Sequence, residues 1–192
     1  LLLPAFYISI TTFHQEMIPT LLAITIIRSK AEVPFPTSTS IIFMLLAFEV
    51  LIEAGFRLPR TFGQTISIIG ALVVGQAAVQ AKIISPVVVI IIALTGMAGF
   101  TMPNQDFANA LRICRLLFVL CATIAGLYGL SLCFLLLIYH LNTLESFGVP
   151  YFSPFAATEG KDIAKDTIIR VPLYLMKKRP SSLKTLNKKR QR

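Results

Sequence analysis

Three long runs without a charged side chain limit what this chain can fold into. Residues 61–81, 83–105 and 116–144 contain no Asp, Glu, Lys or Arg over 21, 23 and 29 positions. A helix rises 1.5 Å per residue, so about 20 apolar residues span the hydrocarbon of a bilayer. Repeated runs of that length point to a helical membrane bundle, because in lipid each segment must satisfy its own backbone polar groups. Mean hydropathy is +0.76 and charged residues make up 14%, against about 25% in globular chains. An ordinary soluble domain is excluded.

The rest of the chain fits the same frame. Residues 1–13 read as the outgoing half of a membrane helix, so the chain reads as a fragment with its first helix truncated. No charged segment precedes them, which argues against a signal peptide. Residues 21–27 are too few to cross and suit an interfacial helix, ended by the charged residues 28–32 and by Pro34 and Pro36. With Ser38 or Thr39 as cap, a helix over about 38–56 is long enough to cross. Residues 83–105 and 116–144 each read as one crossing. Residues 61–81 are softer, with Gly63, Gly70, Gly75 and three glutamines, and either cross or dip in and return. The expected fold is all-α: a polytopic membrane helical bundle over 1–144, about four crossings plus a re-entrant or interfacial helix. A basic, proline-containing cytoplasmic tail occupies 145–192. Ala122, Gly126, Ala125 and Gly129 repeat small residues at four-residue spacing, a helix-packing signal.

The net charge of +9 resides in the tail, where residues 161–192 carry eleven basic and two acidic groups. Lys177, Lys178, Arg179, Lys184, Lys188, Lys189 and Arg190 form its surface-binding part, suited to anionic lipid headgroups on the cytoplasmic side at about 1 kcal/mol each. In a membrane context this composition argues against nucleic acid. Counting positive charges does not choose a path for residues 61–81: with the tail inside, both paths leave fourteen basic residues inside and four outside.

Polar groups inside the apolar runs mark the candidate site. Glu49, Glu53, Gln64, Gln76 and Gln80 are costly at membrane depth, where such groups face a bundle interior or water. Glu49 and Glu53 are four apart and share one helix face, as do Gln76 and Gln80. The carboxylates either reach Arg57 and Arg60 at the helix end, line an oligomeric pore, or bond between helices. The glutamines suit interhelix bonds. Arg112 and Arg115 suit interfacial anchoring. His14 and Glu16 lack metal-ligand spacing, and Cys114 and Cys121, about 10 Å apart on a straight helix, suit packing. No catalytic constellation, phosphate loop, metal set or cofactor fingerprint is visible, so an enzyme is not expected.

Several strings carry a family resemblance: FHQEMIPT (13–20), VPFPT (33–37), FEVLIEAGFRLPR (48–60), GQAAVQAKIISP (75–86), SFGVPYFSP (146–154) and IIRVPLYLMKKRP (168–180). In these the chain resembles the C-terminal membrane half of the A-subunit (GerA-type) family of bacterial spore germination proteins. The resemblance implies an integral inner-membrane subunit of an endospore nutrient germinant receptor. It implies a homo-oligomer that works as a ligand-gated ion channel, with a transporter-like B subunit and a lipoprotein C subunit as partners. It also admits a sporulation-stage paralogue or a non-conducting scaffold. The family's upstream cytoplasmic domain would start the chain inside and favour a re-entrant 61–81. Glu49 and Glu53 match its acidic positions; Ile52 stands where the family commonly has Arg, and Ser40 where it commonly has an acid.

Overall fold

A computed structural model of the chain describes residues 1–57, 70, 73–152, 172, 179, 187 and 189. The polypeptide divides into two units, Leu1–Cys133 and Phe134–Arg192. Helices α1 (Leu3–Thr12), α2 (Thr20–Lys30), α3 (Thr37–Arg57), α4 (residues 73–80), α5 (Pro86–Phe100) and α6 (Gln105–Thr143) follow one another. Proline opens two of them where its missing N–H costs least: Pro4 in the first turn of α1, and Pro86 after the extended Ser85. Asn104 caps α6, its Oδ1 accepting from the Asp106 N–H at 2.9 Å. Buried hydroxyls donate to their own helices, Ser9 to the Ala5 carbonyl at 2.9 Å and Thr95 to that of Ile91 at 2.7 Å. They need no partner from elsewhere.

Helices α1, α3 and α5 pack on one another. Ile8 of α1, Ile41, Met44 and Leu45 of α3, and Val88 and Ile92 of α5 are buried. Glycines set the directions of the neighbours of α3. Gly96 of α5 lies against Phe48, and Gly75 lies between Met44 and Val89. Gly70 lies against Leu51, and Lys82 Nζ pairs with Glu32 at 2.9 Å. So α5 runs beside α3 in the same direction, while residues 70–82 run the opposite way. Lys82 therefore sits at the end where α3 begins. Within 61–81 the described residues, Gly70 and 73–81, lead back towards that end.

Helix α6 is not the single rod expected over 116–144. Ala125 (φ −130°, ψ 16°) and Gly126 (φ 60°, ψ −138°) break it. Cys133 lies within interaction range of the side chains of Cys121 and Cys114. On a straight helix those separations of 12 and 19 residues would be about 18 and 28 Å. A methyl on Gly129 would overlap the Cys121 carbonyl. The chain reverses at Ala125–Gly126 and brings residues 129–133 back beside those before the break. Glycine permits the reversal, because Gly126 takes a positive φ and its missing Cβ would meet the Phe13 ring at 2.9 Å. The small residues thus serve a turn within the chain. All three cysteines are free thiols, and the straight-helix spacing does not apply to Cys121 and Cys133.

Thr37–Gly55 and Asp106–Thr143 are long and apolar enough to cross a membrane by length and composition. Phe43, Leu46 and Val50 on α3, and Leu117, Leu120 and Ile124 on α6, are exposed, whereas a soluble core helix would bury them. In α2 only Ile26 is buried, and Arg28 and Lys30 occupy its last turn, where the helix dipole favours cations. In the second unit, the stretch expected to open the tail contains an antiparallel pair, Glu145–Ser146 with Val149–Pro150. Phe147 and Gly148, at φ 53° and 75°, form its two-residue turn.

Candidate functional site

Glu49 lies on α3 facing the first arm of α6, where Arg112 and Arg115 share a face by their i,i+3 spacing. Arg112 Nη1 donates to Glu49 Oε1 at 2.7 Å. Arg115 Nη2 stands 3.6 Å from Glu49 Oε2. One carboxylate therefore faces two guanidinium groups, one oxygen to each. The Arg115 side chain is 10% exposed and that of Glu49 37%. A buried guanidinium is strongly penalised without a counter-charge, so Glu49 is what permits Arg112 and Arg115 to face inward. This is the interhelix-bond alternative for Glu49. The sequence reading gave the two arginines an interfacial anchoring role; the structure adds that both face Glu49 of α3. Glu49 and Arg112 are 63 positions apart, so no local spacing signalled the pair.

A cavity of about 190 Å³ adjoins the cluster, lined by Ile52 of α3, Thr95, Gly96 and Gly99 of α5, and Arg112 and Arg115 of α6, among others. Arg115 Nε is buried there without a hydrogen-bond partner. Glu53, one turn beyond Glu49, is exposed, as are Gln76 and Gln80. Gln64 lies outside the described residues, as do Lys177, Lys178, Lys184, Lys188 and Arg190. Of the tail cations, Arg179 is half-buried and Lys189 exposed. Among the described residues no three His, Cys, Asp or Glu side chains group as a metal site.

Comparison with known proteins gives this arrangement its context. The family model described as Bacillus/Clostridium GerA spore germination protein matches residues 1–182. The chain is 48% identical over 191 residues to spore germination protein KA of Bacillus subtilis (strain 168), covering 100% of this chain and 35% of that protein. It is 44% identical over 184 residues to spore germination protein GerLA of Bacillus cereus, covering 96% and 37%. It is 42% identical over 182 residues to a Bacillus subtilis protein named only as an uncharacterized membrane protein, YfkQ, covering 95% and 35%. No solved structure matches the chain. The chain spans little more than a third of the length of these relatives. Matched over nearly all of its length, it belongs to the Bacillus/Clostridium GerA spore germination protein family.

Proposed function

We propose that the chain is the membrane part of a nutrient germinant receptor subunit in the inner membrane of the bacterial endospore. In this reading several copies assemble with B and C subunits into a ligand-gated ion channel whose opening triggers germination. The family match over residues 1–182 carries the reading. Exposed apolar faces on α3 and α6 support membrane integration. Glu53, exposed one turn beyond Glu49, is a carboxylate suited to line a path shared between copies.

The path of the chain supports a particular topology, with residues 61–81 crossing and α6 crossing twice about its reversal. A chain that starts inside then puts Arg57, Arg60, Arg112, Arg115 and the eleven basic residues of 161–192 on the inner side. Only Arg28, Lys30 and Lys82 lie outside. Fifteen against three fits the bias of cytoplasmic loops better than the even contest of fourteen against four. The basic tail then meets anionic headgroups inside.

Cation flux through the reconstituted receptor in liposomes tests the conduction reading. Glu53→Gln is expected to change conductance or selectivity. Unchanged flux would remove the acidic path. A second reading, a non-conducting scaffold, is favoured by the bonding of Glu49 to Arg112 at 2.7 Å, which gives that carboxylate a structural role. It predicts that deletion of residues 177–192 abolishes assembly while Glu53→Gln leaves germination intact.

A further inference from the structure

We propose that Cys121 and Cys133 are an oxidisable thiol pair, a modification site at which a peroxide closes a disulfide across the reversal of α6. Spacing in the sequence argues against such a pair. Twelve positions on a straight helix put the two residues about 18 Å apart, whereas a disulfide needs Cα atoms within roughly 4.4–6.8 Å. The break at Ala125–Gly126 removes that obstacle. A Cβ built on Gly129 would stand 3.0 Å from the carbonyl carbon of Cys121, so backbone after the break lies against backbone before it at Cys121. Cys133 comes four residues after Gly129, on the same helical face and about 6 Å further along. Its thiol lies within interaction range of those of Cys121 and Cys114. Cys114 and Cys121, about 10 Å apart on their own arm, cannot bridge each other. Cys133 is therefore the shared partner, and Cys121, whose own backbone meets Gly129, is the one it takes.

The three thiols are free and half-buried, so the structure shows the reduced form. Oxidation balances with hydrogen peroxide as the oxidant. One thiol, as its thiolate, attacks a peroxide oxygen; the O–O bond breaks, water leaves and the sulfur becomes a sulfenic acid. The second thiolate attacks that sulfur, the S–O bond breaks and a second water leaves. Both thiols lose a proton, two electrons pass to the peroxide and one S–S bond forms. A small neutral oxidant suits half-buried sulfurs, because access limits larger or charged reagents. The bond closes a loop around Gly126, forbids straightening of α6 and holds the Phe13 ring against the turn. A dithiol reductant reopens it.

The test treats the full chain, one copy per nanodisc, with hydrogen peroxide, then alkylates the remaining thiols and reads intact mass and a peptide map. The expected product carries one disulfide joining Cys121 to Cys133 and one alkylated cysteine, Cys114. Dithiothreitol should restore three alkylated cysteines. Cys114→Ala is expected to form the same bond, and Cys133→Ala to form none. In SDS and urea, closure should slow at least about tenfold, since the folded chain supplies the proximity. If Cys133→Ala fails to fold, the wild-type peptide map still decides. Three alkylable thiols after peroxide, a Cys114–Cys133 linkage in place of the expected one, or closure as fast in the denatured chain would overturn the assignment.

Discussion

Gly126→Ala is the most informative single change, because one residue holds the reversal of α6. Its backbone lies at φ 60°, ψ −138°, in territory that costs an L-residue about 1–3 kcal/mol. The new methyl would meet the Phe13 ring at 2.9 Å, adding about 1–3 kcal/mol of overpacking unless the ring shifts. The two contributions together give about 2–6 kcal/mol of destabilisation. A helix that escapes this cost by straightening separates Cys121 from Cys133 to about 18 Å. The assay is intramolecular cross-linking of these thiols by a short bifunctional maleimide in detergent, read by intact mass, beside thermal unfolding. Wild type is expected to cross-link, and Gly126→Ala to lose the cross-link or a large share of its stability. The double variant with Phe13→Ala should regain only the steric part, since the dihedral strain remains. Wild-type thiols that never cross-link, or a Gly126→Ala protein with unchanged stability and cross-linking, would refute the reversal.

Other expectations follow from the same geometry. Glu49→Gln removes the counter-charge of two inward arginines and should destabilise by about 2 kcal/mol, measured by thermal unfolding, with Glu49→Gln/Arg112→Gln less than additive. Lys82→Ala breaks an ion pair whose side chains are 62% and 65% exposed and should cost under about 1 kcal/mol. Single cysteines placed at Glu32 and Lys82 should label from the same side of a sealed vesicle, and one at Arg57 from the other. Burial holds Lys30 below its ordinary 10.5, so its charged form is penalised in the folded state. Lys30→Met should therefore stabilise at neutral pH, and the gain should fade as pH rises from the lowered value towards 10.5, where the native lysine sheds its proton.

Which segments are helical was legible from the residues. Pro36 before Thr37, Ser85-Pro86 and Asn104 are local start signals, and α3 begins within a residue or two of the expected cap. The length of the uncharged runs alone argued for apolar helices, since helix formation and lipid solubility depend on neighbours along the chain. The turn at Phe147–Gly148 was less legible, because a bulky aromatic at positive φ is an unusual choice for its first position.

The sequence by itself determined that Glu49, Arg112 and Arg115 lie within or beside apolar helices and that such charges need partners. It did not determine which partners, because a contact between α3 and α6 leaves no periodic trace in either. The same holds for Gly126: small residues every four positions are compatible with a partner helix or with a reversal of their own. Only the approach of Phe13 and the return of Cys133 to Cys121 decided between them. Likewise, charge counting says nothing of direction, whereas Gly70, Gly75 and Lys82 lie beside Leu51, Met44 and Glu32 and so run opposite to α3. Secondary structure and burial preference are written in nearest neighbours; pairing and direction arise when distant segments compete for the same surface.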